Sequence, residues 1–329
     1  MKNILKSRID GISLDEQSAK EIVLRIGRGE INPSQIAAFL SSYWYHPIQV
    51  QELKGFVDAM LELAVTVDLS EFDAMDVCGT GGDGKDTFNI STTSSFVVVG
   101  AGQKIAKHGN HGVSSAVGSS TVLEFLGIKF KNDESYLKRK MENAGICFLH
   151  APLFHPAMRF VGPIRKELGM KTFFNLLGPL LNPAKVNKQL TGVYSAEVFD
   201  LYHEFFKESG KQFGIVFGED GYDEISLTSG FRLATNAGRS DYEAHDLGLG
   251  IASAEQLSGG STVEHSADIM YKILQREGTE AQTNAVLANA GAALWVAQKA
   301  GTLQDGIAFA KESLESGKAF QAFKKFIMD

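Results

Sequence analysis

The stretch Ala74-Met-Asp-Val-Cys-Gly-Thr-Gly-Gly-Asp-Gly-Lys-Asp86 places a short apolar run directly before a glycine-rich turn. The run is typical of a buried strand, and Asn89-Ile-Ser-Thr92 supplies N-cap candidates for a helix through Phe96 and Val99. Such a turn exposes backbone N–H groups to an anion, and the following helix adds the positive end of its dipole. The segment therefore predicts an α/β fold with an anion site at the end of its first strand.

Two familiar phosphate motifs match this turn only in part. The spacing of its glycines fits the dinucleotide fingerprint, but that site needs an acidic residue about 20 positions later. No Asp or Glu occurs between Asp86 and Glu124. A P-loop needs Ser or Thr after its lysine to hold magnesium, and here Asp86 follows Lys85. Both readings are therefore excluded.

The acid-free segment from residue 87 to residue 123 carries eleven Ser or Thr residues and four Lys or His residues. Within it, Lys107-His-Gly-Asn-His-Gly-Val-Ser-Ser115 forms a second loop rich in glycine and serine. Two anion-favouring loops with one strand–helix unit between them predict a ligand with two phosphate groups. The alternative is a solvated pair of loops with no ligand.

Before this segment, the chain predicts three helices in the first 65 residues. Ser13 with Glu16 matches a capping box, and Asn32-Pro33 matches an N-cap followed by proline. A third apolar stripe runs from residue 53 to residue 64. After residue 74, short β-branched runs such as Gly214-Ile-Val-Phe217 alternate with helical stretches. This alternation predicts a mostly parallel sheet with helices on both faces.

Composition excludes several classes of protein. The 329 residues are 22% charged with a net charge of −7, which argues against a generic nucleic-acid binder. Cys78 and Cys147 cannot form a disulfide framework, and this usage suits a reducing compartment. The first residues lack the apolar region of a signal peptide, and no apolar run approaches the length of a membrane span. We expect no nucleic-acid partner, no membrane association and a cytoplasmic location.

The chain resembles the anthranilate phosphoribosyltransferase family over nearly its whole length. Eight motifs carry the resemblance in the expected order: Gly79-Thr-Gly-Gly-Asp83, Thr87-Phe-Asn-Ile-Ser-Thr92, Lys107-His-Gly-Asn110, His155-Pro-Ala-Met158, Arg165-Lys-Glu-Leu-Gly169, Phe174-Asn-Leu-Leu-Gly-Pro-Leu-Leu-Asn-Pro183, Gly221-Tyr-Asp-Glu224 and Glu315-Ser-Gly-Lys-Ala319. Three positions in or shortly after the second loop depart from the family pattern. His111 stands where an arginine is common, and Ser120-Thr121 stands where Ala-Asp is usual.

The resemblance implies a fold of two domains. A small all-helical N-terminal domain would span residues 1–70 and be completed by helices around residues 155–185. An α/β domain with a mostly parallel central sheet flanked by helices would span residues 71–329, with the active site in the cleft between the domains. The family usually forms a homodimer through the helical domain. Phe39, Tyr43 and Trp44 could serve that interface or belong to the core.

The resemblance also implies an activity of the tryptophan pathway. The donor would be 5-phosphoribosyl 1-diphosphate, the acceptor anthranilate and the cofactor Mg²⁺, with no dedicated acid or base. Positions matching the donor site are Gly79, Gly82, Asp83, Thr87, Asn89, Ile90, Ser91, Thr92, Lys107, Ser115 and Ser119. Positions assigned to the acceptor are Gly79, His108, Asn110 and Arg165. Positions assigned to the metal are Ser91, Asp223 and Glu224.

The residue types suit these roles, although structural alternatives stay open. A guanidinium such as that of Arg165 binds a planar carboxylate through a bidentate fork, but it could instead pair with Glu167 or Asp133. His108 could pack near the acceptor or be a satisfied loop histidine. Lys107 offers a point charge to a phosphate, whereas elsewhere it would be read as a solvated surface lysine.

The acidic pair Asp223 and Glu224 follows the strand at Gly214–Phe217 and a turn. In such a loop, both carboxylates can converge and bind Mg²⁺ together with substrate phosphates. The alternative is a solvated acidic turn, because Glu219 and Asp220 lie just before the pair.

Two other functions compete with the transferase. A class II pyrimidine nucleoside phosphorylase shares the helical and α/β plan and a glycine-rich phosphate loop, but Asn89-Ile-Ser-Thr92 and Arg165 favour the transferase. A non-enzymatic relative that binds nucleic acid should be basic on one face. The net charge and the intact pair Asp223-Glu224 argue against that relative.

Overall fold

A computed structural model describes residues 1–112 and 117–328 of the chain. The α-helices of the described residues are α1 (Lys2–Ile9), α2 (Glu16–Gly27), α3 (Pro33–Tyr45), α4 (Val50–Glu62), α5 (Ile90–Gly100), α6 (Ser119–Phe125), α7 (Glu134–Ala144), α8 (Ala151–Phe154), α9 (Gly162–Leu168), α10 (Phe174–Leu177), α11 (Ala196–Lys207), α12 (Val263–Leu274), α13 (Glu280–Val296), α14 (Leu303–Glu315) and α15 (Lys318–Met328). The strands are β1 (Met75–Gly79), β2 (Ile105–Gly109), β3 (Ile146–His150), β4 (Lys188–Gly192), β5 (Gln212–Gly218), β6 (Phe231–Thr235) and β7 (Gly238–Tyr242). Short 3₁₀ helices lie at Ser70–Phe72, Pro156–Phe160, Gly178–Leu180, Ala244–Leu247 and Glu255–Leu257.

The strands form one sheet in the order β3-β2-β1-β4-β5-β6-β7. Strands β1 to β5 run parallel, and β6 and β7 continue the sheet as an antiparallel edge. The chain reverses its direction of winding at β1, which has β2 on one side and β4 on the other. In sheets of this kind, ligands bind at the carboxyl ends of the strands near the point of reversal. The predicted fold class is confirmed.

The crossover from β1 through α5 to β2 forms the centre of the α/β core. Met75 and Val77 of β1 and Phe96 and Val97 of α5 are almost completely buried in the same hydrophobic cluster. Helix α5 is in turn covered by α13, α14 and α15. The glycine-rich turn is therefore fixed between two of the most buried elements of the chain.

Small residues allow the helices around α5 to approach closely. A Cβ atom on Gly306 of α14 would lie 2.2 Å from the carbonyl oxygen of Gly291 in α13. A Cβ on Gly100 of α5 would lie 2.2 Å from the Ser313 hydroxyl. Helix α13, which is rich in alanine, also contacts β4 and β5.

The chain divides into two compact units. One comprises Met1–Thr66 with Ala151–Pro183, and the other comprises Val67–His150 with the remainder of the chain. The first of these is the helical unit, and its second segment, Ala151–Pro183, is called the returning segment. Phe173 of the returning segment stacks on Phe56 with a centroid distance of 4.4 Å. Phe39 and Tyr43 pack edge-on against Phe173 at 5.9 and 4.9 Å. The returning segment therefore supplies part of the core of this unit.

Two expectations for the N-terminal helices are wrong in detail. The sequence does not predict helix α1, because its one buried residue is an arginine, Arg8, and not an apolar residue. The guanidinium of Arg8 lies 3.1 Å from a carboxylate oxygen of Glu52. Ser13 and Glu16 do not form the capping box of α2. Asp15 is the N-cap, and its carboxylate accepts a hydrogen bond from the Ser18 backbone N–H. The cap predicted at Asn32, with proline at the first helical position, is confirmed.

The described part of the chain contains no helix with the length and apolar character needed to cross a membrane.

Candidate functional site

The first glycine-rich turn connects the end of β1 with the start of α5. Gly81, Gly82 and Gly84 have φ values of +63°, +80° and +71°, in the left-handed region that favours glycine. Their sequence therefore fits the backbone path of the turn. Successive left-handed residues beside a helix start form a concave backbone surface that suits an anion.

The acidic pair after β5 lies against this turn. An oxygen of Asp223 accepts a hydrogen bond from the Gly81 backbone N–H at 2.7 Å, and an oxygen of Glu224 accepts one from the Ser91 N–H at 3.0 Å. Asp223 and Glu224 thus converge on the turn and on the first turn of α5. The residues Glu219 and Asp220 are exposed instead and bind Arg232 and Thr228.

Two glycines make the position of Asp223 sterically possible. A Cβ on Gly79 would lie 2.3 Å from a carboxylate oxygen of Asp223, and a Cβ on Gly192 would lie 1.4 Å from its carbonyl oxygen. These glycines end the neighbouring strands β1 and β4. Sequence reasoning assigned Gly79 to ligands and missed Gly192. In the sequence, only its place at the end of a strand indicates that Gly192 could matter.

Burial dominates the electrostatics of the acidic pair. Burial raises the pKa of both carboxyls, and the nearby charge of Asp83 raises both values further. The charge of Asp223 also raises the pKa of Glu224. The charge of Lys107 opposes the shift at Glu224. The carboxyl groups of Asp83, Asp223 and Glu224 therefore influence one another, and their negative charges raise the pKa values of the acidic pair beyond the effect of burial.

The residues present fit Mg²⁺ in its usual protein environment. Among residues 1–112 and 117–328, no group of three or more His, Cys, Asp or Glu side chains forms a complete metal cage. Mg²⁺ commonly uses one or two carboxylates together with substrate phosphates and water. The pair Asp223 and Glu224, beside an anion-favouring turn, matches that requirement.

Lys107 extends from β2 towards the start of α5. Its side chain is 2% exposed, and its ammonium group donates to the Val77 carbonyl and to the Ser91 hydroxyl, the latter at 3.4 Å. Burial lowers the pKa of Lys107, whereas Asp76, Cys78 and Glu224 oppose this shift. Lys107 is therefore an internal cation of the turn and not a solvated surface lysine.

The remaining predicted donor residues occupy different environments around α5. The Asn89 amide does not cap the helix and donates to the Val117 carbonyl at 3.2 Å. Ile90 and Thr92 are buried, and the Ile90 N–H donates to the Phe88 carbonyl. Thr87 pairs with Ser258 in an isolated bridge. The structure thus brings Ser91, rather than Ile90 or Thr92, to Lys107 and Glu224.

The structure describes the second loop as far as Gly112, and the chain again from residue 117 into α6. Residues 109–112 and 117–120 are called here the two described ends of the second loop. The Asn110 carbonyl accepts hydrogen bonds from the Ser119 hydroxyl and the Ser120 N–H, both at 3.2 Å. His108 is buried in β2, and its N–H donates to Asp76 at 3.1 Å. The predicted donor residue Ser115 lies outside the described residues.

Arg165 lies on α9 of the helical unit. Its guanidinium donates to the side-chain oxygen of Asn175 at 3.1 Å and lies over the Phe174 ring at 5.7 Å. Burial alone lowers its pKa. Within the described residues these partners are neutral, so the ion pair with Glu167 or Asp133 is not formed. The cationic group therefore keeps its capacity to bind a carboxylate.

Fold and site together define a two-domain glycosyltransferase. The model of the glycosyl transferase family helical bundle domain matches residues 2–64, and the model of the a/b domain of that family matches residues 71–320. The anthranilate phosphoribosyltransferase of Christiangramia forsetii is 50% identical over 325 residues, covering 99% of this chain and 98% of the relative. The chain belongs to the anthranilate phosphoribosyltransferase family.

Solved structures agree with this assignment. Anthranilate phosphoribosyltransferase from Thermus thermophilus has a TM-score of 0.93 and 35% identity, covering 99% of this chain and 98% of that chain. The Saccharomyces cerevisiae enzyme in complex with PRPP and Mg has a TM-score of 0.89 and 28% identity, covering 99% and 96%.

Proposed function

We propose that this enzyme transfers the phosphoribosyl group of 5-phosphoribosyl 1-diphosphate to the amine of anthranilate. The products are N-(5-phosphoribosyl)anthranilate and diphosphate, and the reaction is the second step of tryptophan biosynthesis from chorismate. The convergence of Asp223 and Glu224 on the glycine-rich turn is the observation that supports it most directly. Membership of the family gives the substrates their names.

The donor is held by the first turn and the start of α5. Gly79, Gly82 and Asp83 lie in the turn, and the Ser91 hydroxyl and Lys107 face each other beside it. Backbone N–H groups, hydroxyls and one ammonium group suit phosphate oxygens. The further donor contacts assigned here are Thr87, Asn89, Ile90, Thr92, Ser115 and Ser119.

Asp223 and Glu224 would hold Mg²⁺, and the Ser91 hydroxyl would add a third ligand. When bound, the ion neutralises negative charge on the diphosphate. The support is the convergence of both carboxylates on the glycine-rich turn and the start of α5, and the Mg present in the complex from Saccharomyces cerevisiae.

The acceptor is held by Arg165, with Asn110, His108 and Gly79 as further contacts. The guanidinium of Arg165 has neutral partners and is partly desolvated, so a carboxylate is its natural ligand. The Asn110 amide lies at the start of the second loop, where its side-chain oxygen accepts from the His111 N–H.

The chemistry requires positioning and charge stabilisation more than proton transfer. The amine attacks the anomeric carbon as the bond to diphosphate breaks, so the protein must hold the two groups in line. An aromatic amine presents its lone pair at neutral pH, and its ammonium adduct is acidic. No dedicated general base is therefore assigned among the residues of this chain.

Anthranilate fluorescence provides the decisive test. In a mixture of the protein, anthranilate, the donor and Mg²⁺, the fluorescence of anthranilate should fall as it is converted. Omission of the protein, the donor or Mg²⁺ should prevent this fall. Constant fluorescence, with turnover only when a pyrimidine nucleoside and phosphate are supplied, would favour the phosphorylase instead.

We also propose a homodimer and a cytoplasmic location. Trp44 and Tyr45 at the end of α3 are 54% and 83% exposed, which suits an interface through the helical unit, whereas Phe39 and Tyr43 are core residues. Light scattering near 36 kDa, the mass of one chain, would reject the dimer. Both cysteines are free thiols, which supports a reducing compartment.

A further inference from the structure

The two described ends of the second loop are in direct contact. A Cβ on Gly118 would lie 1.9 Å from the Gly112 backbone nitrogen. The Asn110 carbonyl accepts from both Ser119 and Ser120 across this contact. The position of Asn110 is thereby tied to the first turn of α6.

His150 anchors this contact to the sheet. It is the last residue of β3 and is paired in register with Gly109 of β2. Its Nδ1 atom lies 2.8 Å from the Ser120 hydroxyl, and both residues are buried. Its ring stacks on Phe130 with a centroid distance of 4.6 Å. Packing against Phe130 holds the His150 ring in place, and its Nδ1 atom therefore fixes the position of Ser120.

The other side of His150 faces His111, with ring centroids 5.0 Å apart. His111 in turn lies 3.3 Å from the Thr121 hydroxyl and 3.9 Å from a Glu124 carboxylate oxygen. Burial lowers the pKa of His150, and His111 adds to this, while Glu124 opposes it. A neutral imidazole can share a hydrogen bond with a serine hydroxyl without burying a charge.

We propose that His150 is a positioning residue of the transfer reaction. Through Ser120 it holds the ends of the second loop together, so that Ser119 is presented to the donor and Asn110 to the acceptor. The inference rests on the proposed function, in which these two residues contact the substrates. It also gives His111 and the Ser120-Thr121 pair a common role in supporting the loop.

Two replacements separate the hydrogen bond from the packing. His150→Phe keeps a ring against Phe130 and removes Nδ1. His150→Asn places a polar atom near the position of Nδ1 and gives up the stack. If the bond positions the loop, His150→Phe should raise KM for both substrates about 3- to 10-fold, the range for one lost hydrogen bond, with kcat changed less than about twofold. His150→Asn should restore both constants to within about twofold of the wild type, since it restores the bond.

A double-mutant cycle identifies the partner. Ser120→Ala should reproduce the KM changes of His150→Phe, and the double variant should be no worse than either single variant. Hydrogen exchange in residues 117–125 should be faster in His150→Phe and return towards normal in His150→Asn. His245→Asn, at an exposed histidine, is the matched control and should leave both constants unchanged.

The possible failures are distinguishable. A wild-type protein that does not consume anthranilate with the donor and Mg²⁺ overturns the proposed function and this inference with it. An active wild type with unaltered KM values in His150→Phe overturns the inference alone. Additive effects of His150→Phe and Ser120→Ala, or a His150→Asn variant as impaired as His150→Phe, would show that packing and not the hydrogen bond matters, which also overturns it.

Discussion

The guanidinium of Arg165 is partly enclosed and has a neutral amide and a ring face as partners. Arg165→Ala should raise KM for anthranilate far more than KM for the donor. A charged hydrogen bond of this kind contributes about 1.5–3 kcal/mol, or roughly 10- to 150-fold in binding. Steady-state kinetics with each substrate varied would measure the split.

Arg159→Ala is the matched control for Arg165, because it removes an exposed arginine from the adjacent 3₁₀ helix. It should leave both KM values unchanged. If Arg165→Ala raised KM equally for both substrates, Arg165 would be identified as a structural residue.

His155 links stability of the helical unit to pH. It is 5% exposed, its Nε2 atom bonds to the Leu181 carbonyl, and burial lowers its pKa to about 4. The unfolded chain, with an ordinary value near 6.5, binds the proton more readily. The free energy of unfolding should therefore fall as pH drops from about 6.5 to 4, by about 3 kcal/mol in total from this group.

NMR titration of the imidazole signals provides the measurement for His155. Its signal should titrate near pH 4. A His155 signal that titrates at the ordinary value, near 6.5, in the folded protein would contradict the prediction.

Some residues of the site and the core could be predicted from the sequence, and others could not. The glycines and hydroxyls of the two loops were identified because their types and spacing are local signals. Gly192 was not identified, because its requirement arises from the Asp223 carbonyl, 31 residues later in the chain. Arg8 was missed for the same reason, since its partner Glu52 lies on another helix.

At the scale of elements, the turn after β5 contains two acidic pairs in different environments. The double change Asp223→Asn with Glu224→Gln should lower kcat sharply and shift the Mg²⁺ requirement to higher concentration, because it removes both carboxylates that face the glycine-rich turn. A magnesium titration of activity, with circular dichroism to check the fold, measures this.

Glu219→Gln with Asp220→Asn removes the same charge from exposed positions of that turn. It breaks a surface ion pair with Arg232, which is worth about 0–1 kcal/mol, and should change the magnesium titration little. An unaltered titration in the first double variant would refute the metal assignment.

Elements differed in how well their sequences predicted them. Helices α2, α3 and α4 carry apolar stripes, and the alternation beyond residue 74 predicted the parallel sheet. Helix α1 has one buried residue, an arginine, so no apolar pattern indicates it. The sheet order could not be predicted, because adjacency of β4 and β1 depends on contacts more than 100 residues apart.

At the scale of the whole molecule, the helical unit is assembled from two distant segments. Phe173 is 4% exposed and contacts Phe39, Tyr43 and Phe56 of the first segment. Phe173→Ala should lower the free energy of unfolding of this unit by about 3–5 kcal/mol, because it leaves a cavity among these rings. Urea unfolding followed by tyrosine and tryptophan fluorescence would report it.

Phe309→Ala serves as the comparison, since Phe309 on α14 is 43% exposed. It should change stability by less than about 0.5 kcal/mol, the usual range for surface substitutions. A comparable loss in both variants would mean that the returning segment does not stabilise the helical unit specifically.

The division of the helical unit has a consequence for synthesis on the ribosome. Its first 66 residues are made early, but residues 151–183 follow only after 84 intervening residues have been added. At about 5–20 residues per second, the 117 residues from 67 to 183 take roughly 6–23 s. During that interval the rings of Phe39, Tyr43 and Phe56 lack their partner, so the nascent chain exposes an aromatic surface that a chaperone can bind.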